Sequence, residues 1–408
     1  MKRKLALILS LMLVLCLLCG CGSGNKAQEE TLSEHDGDSI VVYNWGEYIS
    51  NGDDDSLDVI KDFTEKTGVK VTYLTFASNE ELYTKLKSGS ASYDVIIISD
   101  YMISKLISED MLLPLDIDNI PNYQYIDKNL LENKDISSYD PNQEFSVPYT
   151  WGRVALLYNK KAVKEKITSW NALWDEKYSN KILMFDNSRD AFALAQLLNG
   201  DSFNSTDPKV WESAAELLKK QKPLVRSYVM DQIFPMMSSG EAALAPYYIG
   251  DALTIMSQNE NVDFVFPDEG TNIFIDAMCI PKGCKNKSAA ELFINYMCSY
   301  EAAKANAEYL CYSSPQTQVI EDHKEYLREE FGDYAVDATY PESFEGCEAY
   351  VNLDAATNKL QTDLWLEVRA GSNYTRSVIC VCTVMALLIG GIVFAKIKKY
   401  RRDKFIYS

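Results

Sequence analysis

Histidine is almost absent from this 408-residue sequence, which contains only His35 and His323. His35 lies in a polar stretch and His323 in a charged one, so neither predicts a metal site or a catalytic triad. The sequence also lacks HExxH, Walker A and GxSxG patterns. These absences argue against an enzyme and against a bound metal or cofactor.

A calcium loop is not predicted either, although four aspartates stand close together at positions 53, 54, 55 and 58. The run lacks the glycine and the position-12 glutamate of an EF-hand loop. Aspartates at the start of a helix are in any case favoured by the helix dipole. We therefore interpret this run as a helix start.

Basic residues are outnumbered, with 40 lysines and arginines against 59 aspartates and glutamates, for a net charge of −19. This balance disfavours nucleic acid and anionic lipid surfaces as partners and suits the attraction of cations.

Cysteine is present but not in a pattern that predicts a disulfide framework. Five of the ten cysteines belong to the two ends of the chain, which leaves an odd number in the body: Cys279, Cys284, Cys298, Cys311 and Cys347. At least one of these must be unpaired within the chain. We expect buried thiols, although a loop disulfide between Cys279 and Cys284 stays open.

The start of the chain has the pattern of an exported protein. Residues 1–20 join Lys2, Arg3 and Lys4 to an apolar run, which is typical of a signal peptide. Cys21 follows Gly20 in an arrangement that resembles a bacterial lipobox, so we predict lipidation of Cys21 and a polar linker over residues 21–38. An uncleaved signal anchor is the alternative.

The end of the chain predicts a second anchor. Residues 378–395 carry no charge and would measure about 27 Å as a helix, just enough to cross a bilayer core. The basic tail that follows, residues 396–408, is expected on the cytoplasmic side. The body would then lie on the extracellular or periplasmic face of the cell membrane. A buried core helix is the competing interpretation of residues 378–395.

The body of the chain predicts an α/β fold with mainly parallel strands, because short apolar runs alternate with amphipathic segments. Strands are expected at residues 39–44, 69–73, 94–98, 155–158, 181–185, 242–245, 262–266 and 273–280. Helices are expected at residues 55–66, after the capping pair Ser78 and Glu81, and at residues 189–198 and 207–220. The chain length and 47% hydrophobic content indicate two lobes.

The segments at the ends of these strands carry the candidate site. Ligands of open parallel sheets bind beyond the carboxyl ends of the strands, and five such segments bring aromatic residues, polar residues or carboxylates: Trp45, Glu47, Tyr48, Ser99, Tyr101, Asn187, Asp190, Tyr248, Asp251, Phe274 and Asp276. Carboxylates bind ammonium groups, and aromatic faces cover methylenes while adding cation–π attraction. Each residue alone could be core, rim or helix cap, but their recurrence favours a site for a small polyamine.

Several motifs of the body resemble the bacterial spermidine/putrescine-binding proteins, over about residues 39–371. The resemblance rests on YNWGEY at 43–48, SNEELYTKL at 78–86, YDVIIIS at 93–99, PYTWG at 148–152 and SWNALW at 169–174. It implies a type II periplasmic-binding-protein fold with a hinge and a ligand cleft. Lobe 1 would comprise residues 39–148 and 277–315, and lobe 2 residues 149–276 and 316–371. It also implies capture of a polyamine for an ABC importer, with membrane permease subunits as partners.

The resemblance further implies roles for single residues. Trp45 and Tyr48 would wall the alkyl chain, Ser99 and Tyr101 would contact one end, and Asp190 would meet an amine. Asp276 matches the ammonium-binding aspartate of the family. Tyr248 and Phe274 stand where the family usually has tryptophan.

Two positions leave the preferred polyamine open. Asn187 stands where spermidine-preferring members commonly have an acidic residue, whereas Asp251 stands at the spacing of an aspartate in putrescine-preferring relatives. A membrane-tethered sensory ectodomain for another small cation is the alternative function. The 13-residue tail is too short for a signalling domain but could hold a partner.

Overall fold

The computed structural model describes residues 35–370. The predicted signal peptide, Cys21, the membrane span 378–395, the basic tail and most of the polar linker lie outside these residues and stay predictions. Within residues 35–370, no helix combines the length and the apolar character that crossing a membrane requires.

The sheet of the described body is mixed and continuous, with the strand order β2-β1-β3-β9-β4-β7-β5-β6, while β10 pairs with β9 and β8 pairs with β4. The strands are β1 (Ser39–Trp45), β2 (Lys70–Phe76), β3 (Val95–Ser99), β4 (Ser146–Asn159), β5 (Ile182–Phe185), β6 (Val225–Val229), β7 (Leu244–Tyr248), β8 (Val262–Val265), β9 (Thr271–Cys279) and β10 (Cys347–Ala349). The expectation of mainly parallel strands is only partly met. β1 is parallel to β2 and β3, and β5 to β6 and β7, but β4 and β9 run antiparallel to their main neighbours.

Strand β4 connects the two halves of this sheet. Its first half pairs with β9 and its second half, from Val154 onward, with β7 and β8. The sequence predicted only residues 155–158, because Pro148 and Gly152 interrupt the apolar pattern. Pro148 is tolerated because the register shifts between Pro148 and Thr150, and proline is accepted at such bulges.

Helices cover the sheet and close the spaces between strands. They are α1 (Val59–Thr67), α2 (Asn79–Ser88), α3 (Asp100–Ser108), α4 (Lys128–Glu132), α5 (Ser188–Asn199), α6 (Pro208–Gln221), α7 (Ile233–Ser238), α8 (Ile249–Gln258), α9 (Lys287–Met297), α10 (Tyr300–Leu310), α11 (Ile320–Glu330), α12 (Asp333–Thr339) and α13 (Ala355–Ala370). Short 3-10 helices occupy Asp53–Asp55, Ile117–Asn119, Pro121–Tyr125, Trp170–Trp174, Glu176–Tyr178 and Lys222–Leu224.

Local capping accounts for the helix starts. Ser78 Oγ accepts from the Glu81 backbone N–H at 3.1 Å, which confirms the predicted start of α2. Helix α1 begins later than predicted, at Val59, because Asp58 is its N-cap. Asp54 and Asp55 have φ of 53° and 62°, outside the helical region.

Buried apolar residues form separate cores in the two halves of the sheet. One core gathers residues of β5, β7, α5 and α6 together with the second half of β4. Two others surround β1, β3 and β9, one on each face. The five cysteines of the body are all free thiols, so the loop disulfide between Cys279 and Cys284 is not formed.

Candidate functional site

One cavity between the two halves brings together all eleven predicted site residues. The volume of this cavity is about 60 Å³. No lysine or arginine of residues 35–370 lines the cavity. Five carboxylates do: Glu47, Asp190, Asp231, Asp251 and Asp276.

Asp276 is the carboxylate with a free acceptor. Its Oδ2 accepts a hydrogen bond from Tyr48 Oη at 2.8 Å, whereas its Oδ1 is buried and has no partner among the described residues. Removal from water raises the pKa of Asp276 to about 6, although the nearby Ser99 hydroxyl, which lies outside hydrogen-bonding geometry, and the Tyr48 hydrogen bond lower it. A buried carboxylate oxygen without a donor is a strong acceptor for an ammonium N–H.

Tyr48 is held in place by its surroundings. Its hydroxyl also hydrogen-bonds Thr150 Oγ1, and its backbone carbonyl accepts from Tyr149 Oη and Asn44 Nδ2, both at 3.0 Å. The orientation of Asp276 is therefore fixed through Tyr48 by groups that do not need a ligand.

Asp190 is equally buried, but both of its oxygens are occupied. Tyr248 Oη donates to Oδ2 at 2.6 Å and Tyr350 Oη donates to Oδ1 at 2.9 Å. Burial raises the pKa of Asp190 to about 6, while the two tyrosines and the neighbouring Arg189 lower it. Asp190 lies in the first turn of α5, three residues after the N-cap residue Asn187.

The other three carboxylates of the cavity, Glu47, Asp231 and Asp251, lie nearer the surface than Asp190 and Asp276. Asp251 accepts from Tyr312 Oη at 2.9 Å. Burial raises the pKa of Asp251 to about 8, and the nearby Asp231 and Glu47 add to the rise. Asp231 packs against Gly46, where a side-chain Cβ would overlap Asp231 Oδ2. The loop after β1 thus meets the loop before α7 across the cavity.

Aromatic rings form the walls. Tyr48 and Tyr312 meet edge to face at 5.3 Å between ring centroids, and so do Tyr248 and Phe274, also at 5.3 Å. Room for these rings comes from two glycines. A Cβ at Gly152 would lie 3.1 Å from Phe274 Cζ, and one at Gly250 would lie 2.6 Å from Tyr312 Cγ.

Three other predicted residues of the cavity, Trp45, Tyr101 and Asn187, also make contacts with neighbouring parts of the protein. Tyr101 is buried and its hydroxyl accepts from Asn79 Nδ2 at 3.0 Å while donating to Glu80 at 3.1 Å. Asn187 caps α5 by accepting from the Arg189 N–H at 3.0 Å. Trp45 packs on Phe76 at 4.5 Å between ring centroids. Tyr101 and Asn187 therefore have structural duties in addition to any ligand contact.

Nine further residues that the sequence pattern did not predict also line the cavity: Gly46, Asn79, Met230, Asp231, Phe234, Tyr247, Asn272, Tyr312 and Tyr350. A local signal existed for two of them. Asn79 follows β2, and Asn272 shares the alternation of Phe274 and Asp276. Tyr312 and Tyr350 come from segments far along the chain, where no strand pattern pointed to them.

The arrangement is suited to binding and not to bond breaking. No group of three or more histidine, cysteine or acidic side chains in the described body is arranged to hold a metal ion. The donors that reach Asp190, Asp251 and Asp276 are tyrosine hydroxyls, which orient carboxylates without neutralising them. The cavity is therefore suited to binding a positively charged ligand.

Comparison with known proteins agrees with this chemistry. Residues 58–330 match the family model described as bacterial extracellular solute-binding protein. The spermidine/putrescine-binding periplasmic protein of Salmonella typhimurium is 36% identical over 282 residues, which cover 69% of this chain and 78% of that protein.

Two solved structures are also similar. A chain from Listeria monocytogenes has a TM-score of 0.74 and 34% identity, covering 81% of this chain and 99% of its own. The spermidine/putrescine ABC transporter substrate-binding protein of Streptococcus pneumoniae has a TM-score of 0.65 and 36% identity, covering 82% and 99%.

These matches confirm the predicted α/β periplasmic-binding-protein fold and the resemblance drawn from the motifs. The family consists of solute-binding proteins, which confirms that the chain is a binding protein and not an enzyme. The family model covers well over half of the sequence, and the chain belongs to the bacterial extracellular solute-binding proteins.

Proposed function

We propose that this protein captures a polyamine, putrescine or spermidine, outside the cell and delivers it to the permease of an ABC importer. One observation carries the proposal: the free Oδ1 of Asp276 belongs to a cavity that combines aromatic walls with five carboxylates. An ammonium group satisfies that oxygen, and the rings cover the methylenes. The names of the related Salmonella and Streptococcus proteins support the same ligand class.

The proposal includes motion of two lobes about β4 and β9. The lobes are those given by residues 39–148 with 277–315 and by residues 149–276 with 316–371. In support, the cavity is lined from both halves of the sheet, so a ligand inside it would touch both. Closure around a cation would also relieve the mutual repulsion of Glu47, Asp231 and Asp251.

We propose in addition that the protein is held at the membrane twice, by a lipid on Cys21 and by a helix over residues 378–395. The support is the sequence pattern of both ends. A tether raises the effective concentration of the binding protein beside its permease, which replaces diffusional encounter. Mass spectrometry of the membrane fraction would identify the lipidated Cys21, and an unmodified N-terminal peptide would contradict the first anchor.

The test of ligand class is isothermal titration of the purified 408-residue chain with putrescine, spermidine and spermine. We expect 1:1 binding of at least one of the first two. Glutamate, whose carboxylates would face the acidic lining, serves as the negative control. Absence of heat and of thermal stabilisation with every polyamine would overturn the proposal.

A further inference from the structure

Asn272 is a second buried acceptor in the cavity, and nothing in the sequence analysis assigned it a role. It is only 3% exposed and lies on β9. Alternate residues of a strand face the same side, so Asn272 follows Phe274 and Asp276 along one face. All three line the cavity.

The orientation of the Asn272 amide is determined by its neighbours. The Nδ2 group donates to the Ile273 carbonyl at 3.1 Å and to the Glu348 carbonyl at 3.2 Å. Carbonyl oxygens accept only, so the NH₂ group and not the oxygen must face them. The Oδ1 atom is left buried and without a partner among residues 35–370. A buried acceptor of this kind is destabilising unless a donor reaches it.

We propose that Asn272 Oδ1 accepts a hydrogen bond from a polyamine nitrogen that a triamine has and a diamine lacks. The inference rests on the proposed function. Residues 272 and 276 are four apart on one strand, a separation of about 13 Å. Asn272 and Asp276 therefore contact different parts of an extended ligand, with Phe274 between them.

The neutral Asn272 amide is better suited to bind a third ligand nitrogen than to bind one of the first two. Asp276 and the other carboxylates of the lining already supply acceptors for the two ammonium groups of a diamine. A neutral carbonyl oxygen adds an acceptor without adding another buried negative charge, which would cost desolvation. Asn272 would thus set the preference for chain length, which the residue types at positions 187 and 251 leave open.

The experiment compares Asn272→Leu with the unsubstituted 408-residue chain in titrations with spermidine and with putrescine. We expect the Kd for spermidine to rise about tenfold, since one hydrogen bond to a charged donor is lost. The Kd for putrescine should change little. Asn272→Ala, which also removes the amide oxygen, should show the same selective loss, and it serves alone if Asn272→Leu does not fold.

Asn204→Leu is the matched control. Asn204 Nδ2 donates to the Ala349 carbonyl at 2.7 Å, and its Oδ1 accepts from the Val351 N–H at 3.0 Å, so it supports the same β10 segment. It is not among the residues that line the cavity. We expect this variant to bind both polyamines normally.

Three results would overturn the inference: no change in Asn272→Leu, an equal loss for both polyamines, or the same selective loss in Asn204→Leu. Unchanged spermidine binding in Asn272→Ala would also overturn it. If the unsubstituted chain binds neither polyamine, it is the proposed function that fails. If that chain binds both polyamines and the substitutions have no selective effect, only the role of Asn272 fails.

Discussion

The cavity has two buried carboxylates whose pKa values are both raised by burial and whose surroundings are very different. Asp276 and Asp190 are 6% and 4% exposed, and burial raises the pKa of each to about 6. Asp190 has a tyrosine hydroxyl on each oxygen. Asp276 has a single tyrosine on Oδ2 and no partner on Oδ1 among the described residues.

From this difference we infer that Asp276 binds the ligand, whereas Asp190 supports the walls of the cavity. The hydrogen bonds of Asp190 join α5 to β7 and to the segment after β10, so its carboxylate ties the walls together without a ligand. Asp276 is oriented by Tyr48 but keeps one oxygen for a ligand donor. We therefore expect Asp276 to contribute more to affinity and Asp190 more to the shape of the empty cavity.

The largest effect is expected from Asp276→Asn. At pH 7.5 the substitution removes the ion pair and turns a charged acceptor into a neutral one, a loss of roughly 2 kcal/mol or more in a desolvated site. The Kd for the preferred polyamine should rise at least about tenfold in isothermal titration. The Tm of the ligand-free chain should not fall, because a buried charge without a full set of partners is removed.

A fall in Tm together with the lost affinity would contradict this assignment, because it would make Asp276 a structural residue. Asp100 offers the control. It is 1% exposed on the neighbouring helix α3, both of its oxygens accept from backbone N–H groups, and it does not line the cavity. Asp100→Asn should change the Kd little, because Asp100 does not line the cavity.

The next effect is pH dependence of binding. Since the folded pKa of Asp276 and of Asp190 lies near 6, both become protonated below that pH, whereas polyamine nitrogens stay charged. Lowering the pH from 7.5 to 5 should weaken binding by about tenfold for each carboxylate that contacts the ligand. Titration calorimetry at several pH values measures this slope, which should be shallower in Asp276→Asn. A flat profile in the unsubstituted chain would contradict the role of both carboxylates.

The stability of the ligand-free chain should respond in the opposite direction. Both folded pKa values are raised above the unfolded value near 4, so in that window the folded state holds protons that the unfolded chain has released. These two groups therefore lower the free energy of unfolding as the pH rises from about 4 to about 6. A polyamine should restore stability most above pH 6.

The alternation and post-strand rules were enough to predict the part of the site that depends on local sequence. Trp45, Tyr101, Asp190 and Tyr248 follow or end predicted strands, which places them at the carboxyl ends of those strands. Phe274 and Asp276 lie within β9, two residues apart and therefore on one face of the strand. Their presence in one cavity required no knowledge of tertiary contacts.

Tyr312 and Tyr350 could not be predicted in this way. They enter because Gly250 and Gly152 leave space for the Tyr312 ring and because β10 pairs with β9. The first half of β4 was missed for a related reason, since Pro148 sits at a register shift that only the pairing with β9 explains. Packing between distant segments, and not local pattern, decides these positions.

The smallest effect, and the sharpest test of the comparison, is expected from Asp190→Asn. The amide keeps one acceptor oxygen, so one of the two bonds from Tyr248 and Tyr350 can persist while the other is disturbed. Because its oxygens already have donors, its loss should raise the Kd by only about threefold, well below the effect of Asp276→Asn. Tm of the ligand-free chain, measured by calorimetry, should fall by a few degrees, unlike that of Asp276→Asn. If both substitutions weaken binding equally without lowering Tm, the two carboxylates are equivalent ligands, and their different hydrogen bonding carries no functional meaning.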